Sequence, residues 1–219
     1  MRKKQMGFTL VEIAIVLVII GLLLGGVLKG QELVNSAKVK NLANDFRNIS
    51  SFVYAYQDRF RALPGDDRAA NTHLTGGTNA TTPVAADVGN ARINGAWNSI
   101  TQTDESYLFW QHVRLAGLAT GVPTVGNAEY IPRNAEGGVI GVTGAPVLTA
   151  PATPFPANFY VCSRGIQGRF TRQIDTTLDD GNTQTGSVRA MVDGVATQAD
   201  ATNVTAADDA TLYTVCMGF

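Results

Sequence analysis

Histidine and cysteine are nearly missing from this chain: each occurs twice in 219 residues. His73 and His112 do not stand at ligand spacing from Cys162 or Cys216, which argues against a Cys/His metal centre. The sequence also lacks a Ser-His-Asp order with a nucleophile elbow, a phosphate-binding glycine loop and an H-E-x-x-H helix. Nothing in it reads as an enzyme. Charge is sparse as well, with 16% of residues Asp, Glu, Lys or Arg, against roughly 25% in ordinary soluble domains. The formal net charge of −1 offers no basic excess to meet nucleic acid. Lysine vanishes after Lys40, and residues 69–219 hold seven Arg against twelve acids.

What is present is unevenly spread. The mean hydropathy of +0.04 averages two unlike segments. Arg2, Lys3 and Lys4 precede twenty-one residues, Phe8 to Leu28, that carry one charge, Glu12. At about 1.5 Å per residue this run spans roughly 31 Å as a helix, matching a bilayer core of about 30 Å. A basic flank before an apolar run places the start in the cytoplasm and the rest outside. The run exceeds the apolar stretch of roughly 7–15 residues in a cleaved signal peptide, and no A-x-A-like site follows it. A carboxylate within a spanning helix costs roughly 2.5–3.5 kcal/mol on insertion scales, so Glu12 needs a partner.

Gly7-Phe8-Thr9-Leu10-Val11-Glu12, after Arg2-Lys3-Lys4 and before the apolar run, resembles the class III leader of type IV pilins and type II secretion pseudopilins. The resemblance implies that a prepilin peptidase cuts between Gly7 and Phe8 and that Phe8 is N-methylated. Glu12 matches the family's glutamate five residues into the mature chain. The freed Phe8 amine of a neighbouring subunit can pair with it, offsetting two desolvation costs in one contact. Implied partners are the prepilin peptidase, an inner-membrane assembly platform, the inner membrane before assembly, and other pilin or pseudopilin subunits. No nucleic-acid partner is expected.

Beyond Leu28 the helical pattern continues. Leu42, Phe46, Ile49, Val53, Tyr56, Phe60 and Leu63 recur in steps of three and four, the spacing of one helix face. Pro64-Gly65 ends the run. Residues 1–7 then form the leader, 8–28 the membrane or filament-core half of the helix, 29–63 its amphipathic half, and 64–219 an extracytoplasmic head. If unbroken from Phe8 to about Ala62, the helix would be roughly 83 Å long, more than a head of this size can cover. Gly21, Gly25, Gly26 and Gly30 weaken it by about 1 kcal/mol each relative to Ala. Lys29 stands where many type IV pilins carry a helix-bending proline.

The head text is rich in Gly, Thr, Ala, Asn and Pro. Short strand-like runs lie at 138–142, 158–162, 186–192 and 212–216, and 105–118 reads as a helix. The expected fold class is α+β and pilin-like: a long N-terminal helix packed against a small antiparallel sheet. A second, weaker resemblance, to a broad group of prepilin-like proteins, rests on Ala62-Leu63-Pro64-Gly65-Asp66, on Glu105 with Trp110 to Leu118, and on Leu178-Asp179-Asp180-Gly181 with Gly186.

Cys162 and Cys216 both fall in the exported part, where an oxidising compartment favours a disulfide over a free thiol pair. The resemblance adds the C-terminal disulfide-bounded loop of many type IV pilins. Asp179, Asp180 and Asn182 have the texture of a calcium site, as in some pseudopilins, but not the EF-hand spacing. The competing reading is a short helix from Arg172 to Leu178 ended by a turn, with no cofactor. Three functions fit: a subunit of a type IV pilus or pilus-like filament, a type II secretion pseudopilin forming a periplasmic piston, and a minor tip subunit or adhesin binding a surface, sugar or DNA. The expected location is the inner membrane, single-pass with the N-terminus cytoplasmic, and then an extracellular pilus or periplasmic pseudopilus.

Overall fold

The computed structural model describes residues 10–195 and 198–219. The chain divides into two units, Met1–Lys38 and Val39–Phe219. Helix α1 covers Leu10–Phe60 and contributes to both. Across 10–38 the large apolar residues of α1 are exposed, among them Leu17 at 63%, Leu22 at 73% and Leu28 at 66%. From residue 39 the pattern changes: Val39, Leu42, Ala43, Phe46, Ile49, Val53 and Tyr56 are buried. These positions recur every three or four residues, so one face of the helix is buried while Asp58, Arg59 and their neighbours stay in solvent. The helix stops at Phe60, where Arg61 adopts φ +56° and its N–H still reaches the Gln57 carbonyl at 2.9 Å.

The second unit is α+β. Three helices and four strands follow Pro64: α2 (Ala70–His73), α3 (Glu105–Leu115), β1 (Ile140–Thr143), β2 (Tyr160–Gln167), α4 (Gly168–Leu178), β3 (Val188–Val192) and β4 (Leu212–Gly218). The sheet order is β1-β2-β4-β3, every pair antiparallel. Because strand side chains alternate, the sheet has two distinct faces. Val142, Val161, Val188 and Val215 join the α1 stripe, Phe109, Val113, Phe170 and Ile174 in the main core. Tyr160, Cys162, Met191 and Cys216 point the other way and are covered by Val147, Leu148, Phe155 and Ala201 from loops. A register shift between Ser163 and Ile166 bends β2 into α4, with Gly165 at φ +73°.

Helix α3 is three residues shorter than the 105–118 reading. The Gly117 N–H bonds the Arg114 carbonyl and the Leu118 N–H bonds the Val113 carbonyl, each at 2.9 Å. Gly117 at φ +74° makes this paired closure possible at low cost. Residues 105–114 are buried all round rather than on one stripe, so α3 runs through the interior. Helix α4 begins at Gly168, four residues ahead of the Arg172 start read from sequence.

Candidate functional site

Gly7 and Phe8, the expected cleavage and methylation positions, lie outside the described residues. Glu12 stands in the first turn of α1, where a negative charge complements the positive end of the helix macrodipole. Around it, Leu10, Val11, Ile13, Ile15 and Val16 are all at least half exposed or close to it. Residues 10–60 include a stretch long and apolar enough to cross a membrane. A run of exposed Leu, Ile and Val of this length needs lipid or other apolar helices around it. Burying each such side chain fully gains about 1.5–3 kcal/mol.

In the head, Cys162 and Cys216 face each other across β2 and β4 and are joined by a disulfide. Both are fully buried. The bond ties the C-terminal strand to the central strand on the sheet face turned away from α1.

A polar network locks the chain reversal after α1. The Gly65 N–H donates to His112 Nδ1 at 2.8 Å, and His112 Nε2 lies 2.8 Å from the Thr78 carbonyl oxygen. Since Nδ1 accepts, Nε2 must carry the proton and the ring is neutral. Burial lowers the His112 pKa, against a weaker pull from the Thr78 carbonyl and the Asp67 charge. Gly65 sits at φ +91°, and a Cβ there would lie 2.3 Å from the Glu105 carbonyl oxygen, so no side chain fits. Asp67 Oδ2 accepts from the Tyr56 hydroxyl and pairs with His73 Nδ1, both at 2.7 Å. Burial works to raise the Asp67 pKa, but the His73 and Tyr56 bonds outweigh it and the carboxyl ends below its ordinary value. Asp66 gathers the N–H groups of Gly89, Asn90 and Ala91. Glu105 accepts from the Asn94 N–H at 2.6 Å, and burial, opposed by that bond and aided by the Asp66 charge, pushes its pKa up to about 7.

The sequence text Pro64-Gly65-Asp66-Asp67 and Glu105 to His112 is thus one assembly that anchors the end of α1 to α3. Its individual roles escaped the sequence reading. The signal available was two separated groups of buried-type polar residues, with nothing local to join them.

The acidic segment at the end of α4 brings three carboxylates together. One carboxylate oxygen each from Asp175, Asp179 and Asp180 lie within 4.8 Å of one another. Beside them, Asn182 Oδ1 accepts the Gln184 N–H at 3.2 Å. Asp180 accepts from the Asn182 N–H and the Thr185 hydroxyl, and Asp179 Oδ2 from the Val188 N–H. Asp175 is fully buried. Burial, then the Asp179 and Asp180 charges, push its pKa up to about 7 against a weaker pull from the Gly181 N–H.

A long N-terminal helix packed in its later part on a four-stranded antiparallel sheet is a pilin-like α+β arrangement. Residues 2–28 match the family model of the prokaryotic N-terminal methylation motif, the class III leader of type IV pilins and pseudopilins. No curated protein and no solved structure matches the chain. Over residues 2–28, then, the chain carries the segment that marks a precursor of the type IV pilin and pseudopilin kind, a class of structural rather than catalytic proteins.

Proposed function

We propose that this protein is a structural subunit of a type IV pilus or pilus-like filament. The observation that carries the reading is the methylation motif at residues 2–28. The exposed apolar face of α1 supports it, since that surface must be covered by lipid before assembly and by other subunits' helices afterwards. In this scheme the precursor sits in the inner membrane with its basic residues in the cytoplasm. A prepilin peptidase cuts between Gly7 and Phe8, Phe8 is methylated, and an inner-membrane platform adds the subunit to a helical filament. Glu12 then meets the Phe8 amine of a neighbour, which sets the axial step between subunits. A type II secretion pseudopilin would use the same steps in a shorter periplasmic filament. A minor tip subunit would use them to carry a binding head.

Glu12→Val tests the assembly step. The variant is expected to insert in the membrane and be cut at Gly7, as read by mass spectrometry of the new N-terminus. It is expected to be missing from sheared filaments seen by electron microscopy. Wild-type filament yield with Glu12→Val rejects the role given to Glu12. An intact leader on exported protein rejects the whole scheme.

A further inference from the structure

We propose that the head carries a binding pocket for a small molecule with one aromatic ring and a hydroxyl, set between α3, β1 and the loop before α3. The pocket does not depend on the assembly role of α1. A cavity of about 170 Å³ opens there, lined by Trp97, Tyr107 and Trp110 with Ile131, Ile140 and Ser106. Ile100, 81% exposed, stands at its rim. Protein interiors hold few voids larger than a water molecule, so a recess of this size among apolar side chains is unusual. An apolar cavity of about 150 Å³ holds a benzene molecule, which puts one six-membered ring at the capacity of this one.

Each aromatic wall has its own support, so the recess is formed before any ligand arrives. Tyr107 stacks on Tyr130 with ring centroids 4.5 Å apart, and its hydroxyl accepts the Gly126 N–H at 3.2 Å. Trp110 meets Phe109 edge-on at 5.0 Å and has the Arg114 guanidinium 5.6 Å from its ring centre. Trp97 lies directly on β1: a Cβ at Gly141 would collide with the Trp97 carbonyl oxygen and stand 3.4 Å from its ring carbon Cε3. Preorganised aromatic surfaces take flat rings by stacking or edge contact at little ordering cost.

Ser106 supplies the polar half. It is 2% exposed, and among the described residues its hydroxyl has no hydrogen-bond partner. Buried hydroxyls are ordinarily bonded, and a ligand hydroxyl supplies the partner this one lacks. The scarcity of polar groups decides the ligand's class. A hexose carries a hydroxyl on nearly every ring carbon, and walls of Trp, Tyr and Ile would leave most of them buried without bonds. Arg164 also lines the cavity, but its Nε and Nη2 hold Asp193 at 3.2 and 3.3 Å, so its charge is already matched and no anion is called for. A neutral phenol fits the size, the surface and the polarity together.

The test uses the full chain in detergent micelles, with phenol as the probe and micelles without protein as the blank. The chain's two tryptophans, Trp97 and Trp110, both line the cavity, so tryptophan emission reports on it directly. Phenol is expected to change that emission saturably, and glucose to leave it unchanged. Ile131→Phe fills the space from a partly buried position and is expected to abolish the response. Ser106→Ala removes no side-chain hydrogen bond from the fold, so its thermal midpoint without phenol is expected to match the parent's. Its phenol affinity is expected to fall about fivefold, the worth of one hydrogen bond. A phenol response that never saturates, or an equal response to glucose, overturns the pocket, as does an unchanged response in a folded Ile131→Phe protein. An unchanged phenol affinity in Ser106→Ala overturns it too, and decides the matter if Ile131→Phe fails to fold.

Discussion

Glu105 is a carboxyl held where water cannot reach it, and its consequence is a pH dependence of stability. Burial raises its pKa from an ordinary 4.5 to about 7. Between those values the folded chain therefore binds more protons at this site than the unfolded chain does, and the stability contributed by Glu105 falls as pH climbs. Glu105→Gln keeps an oxygen to accept the Asn94 N–H and removes the titration. Denaturant unfolding from pH 4.5 to 7 is expected to show a flatter stability profile for Glu105→Gln than for the parent. Equal slopes would mean that Glu105 ionises freely in the fold. His112 illustrates the same scale from the other side. Its identity and helical position were readable in the sequence, but its two bonds join it to Gly65 and Thr78, more than thirty residues away. Only folding assigns such partners.

Among the elements, α1 carries two kinds of apolar residue that one helix does not ordinarily combine. Phe46 is buried among sheet and helix side chains, while Leu22 is 73% exposed. Phe46→Ala is expected to cost about 3–5 kcal/mol of unfolding free energy through lost burial and a residual cavity. Leu22→Ala is expected to stay within about 0.5 kcal/mol of the parent in detergent, since the side chain is largely exposed. Chemical denaturation followed by circular dichroism separates the two outcomes. The stripe at Leu42, Phe46, Ile49, Val53 and Tyr56 was legible because helical periodicity is a local property. All four strands were legible for a similar reason, as short runs between glycine-rich turns. The ends of α1 and α3 were less so, since Arg61 in a left-handed conformation and the Gly117 closure set them rather than composition. The nearness of Asp175 to Asp179 was legible in the same way, since four residues make about one helical turn.

At the scale of the whole molecule, the disulfide closes 54 residues of sequence around β2, α4, β3 and β4. Chain entropy assigns a loop of that size about 4 kcal/mol. Replacing both Cys162 and Cys216 by Ala is expected to lower unfolding free energy by about that amount, and reduction of the parent to lower its thermal midpoint likewise. A midpoint unchanged by the double substitution would show that sheet pairing alone fixes the C-terminal strand. What the sequence determined by itself was everything carried by contiguous residues: the methylation motif at 2–28, the apolar run, and the amphipathic stripe that follows it. Hydrophobic length and helical period are one-dimensional properties, so no fold is needed to read them. The tertiary structure alone decided which polar groups meet. It set His112 against Gly65 and placed the two cysteines on the sheet face turned from α1. Those contacts depend on strand order and on how α3 and α4 are buried, and a polar residue's partner is fixed by geometry across the chain rather than by its neighbours along it.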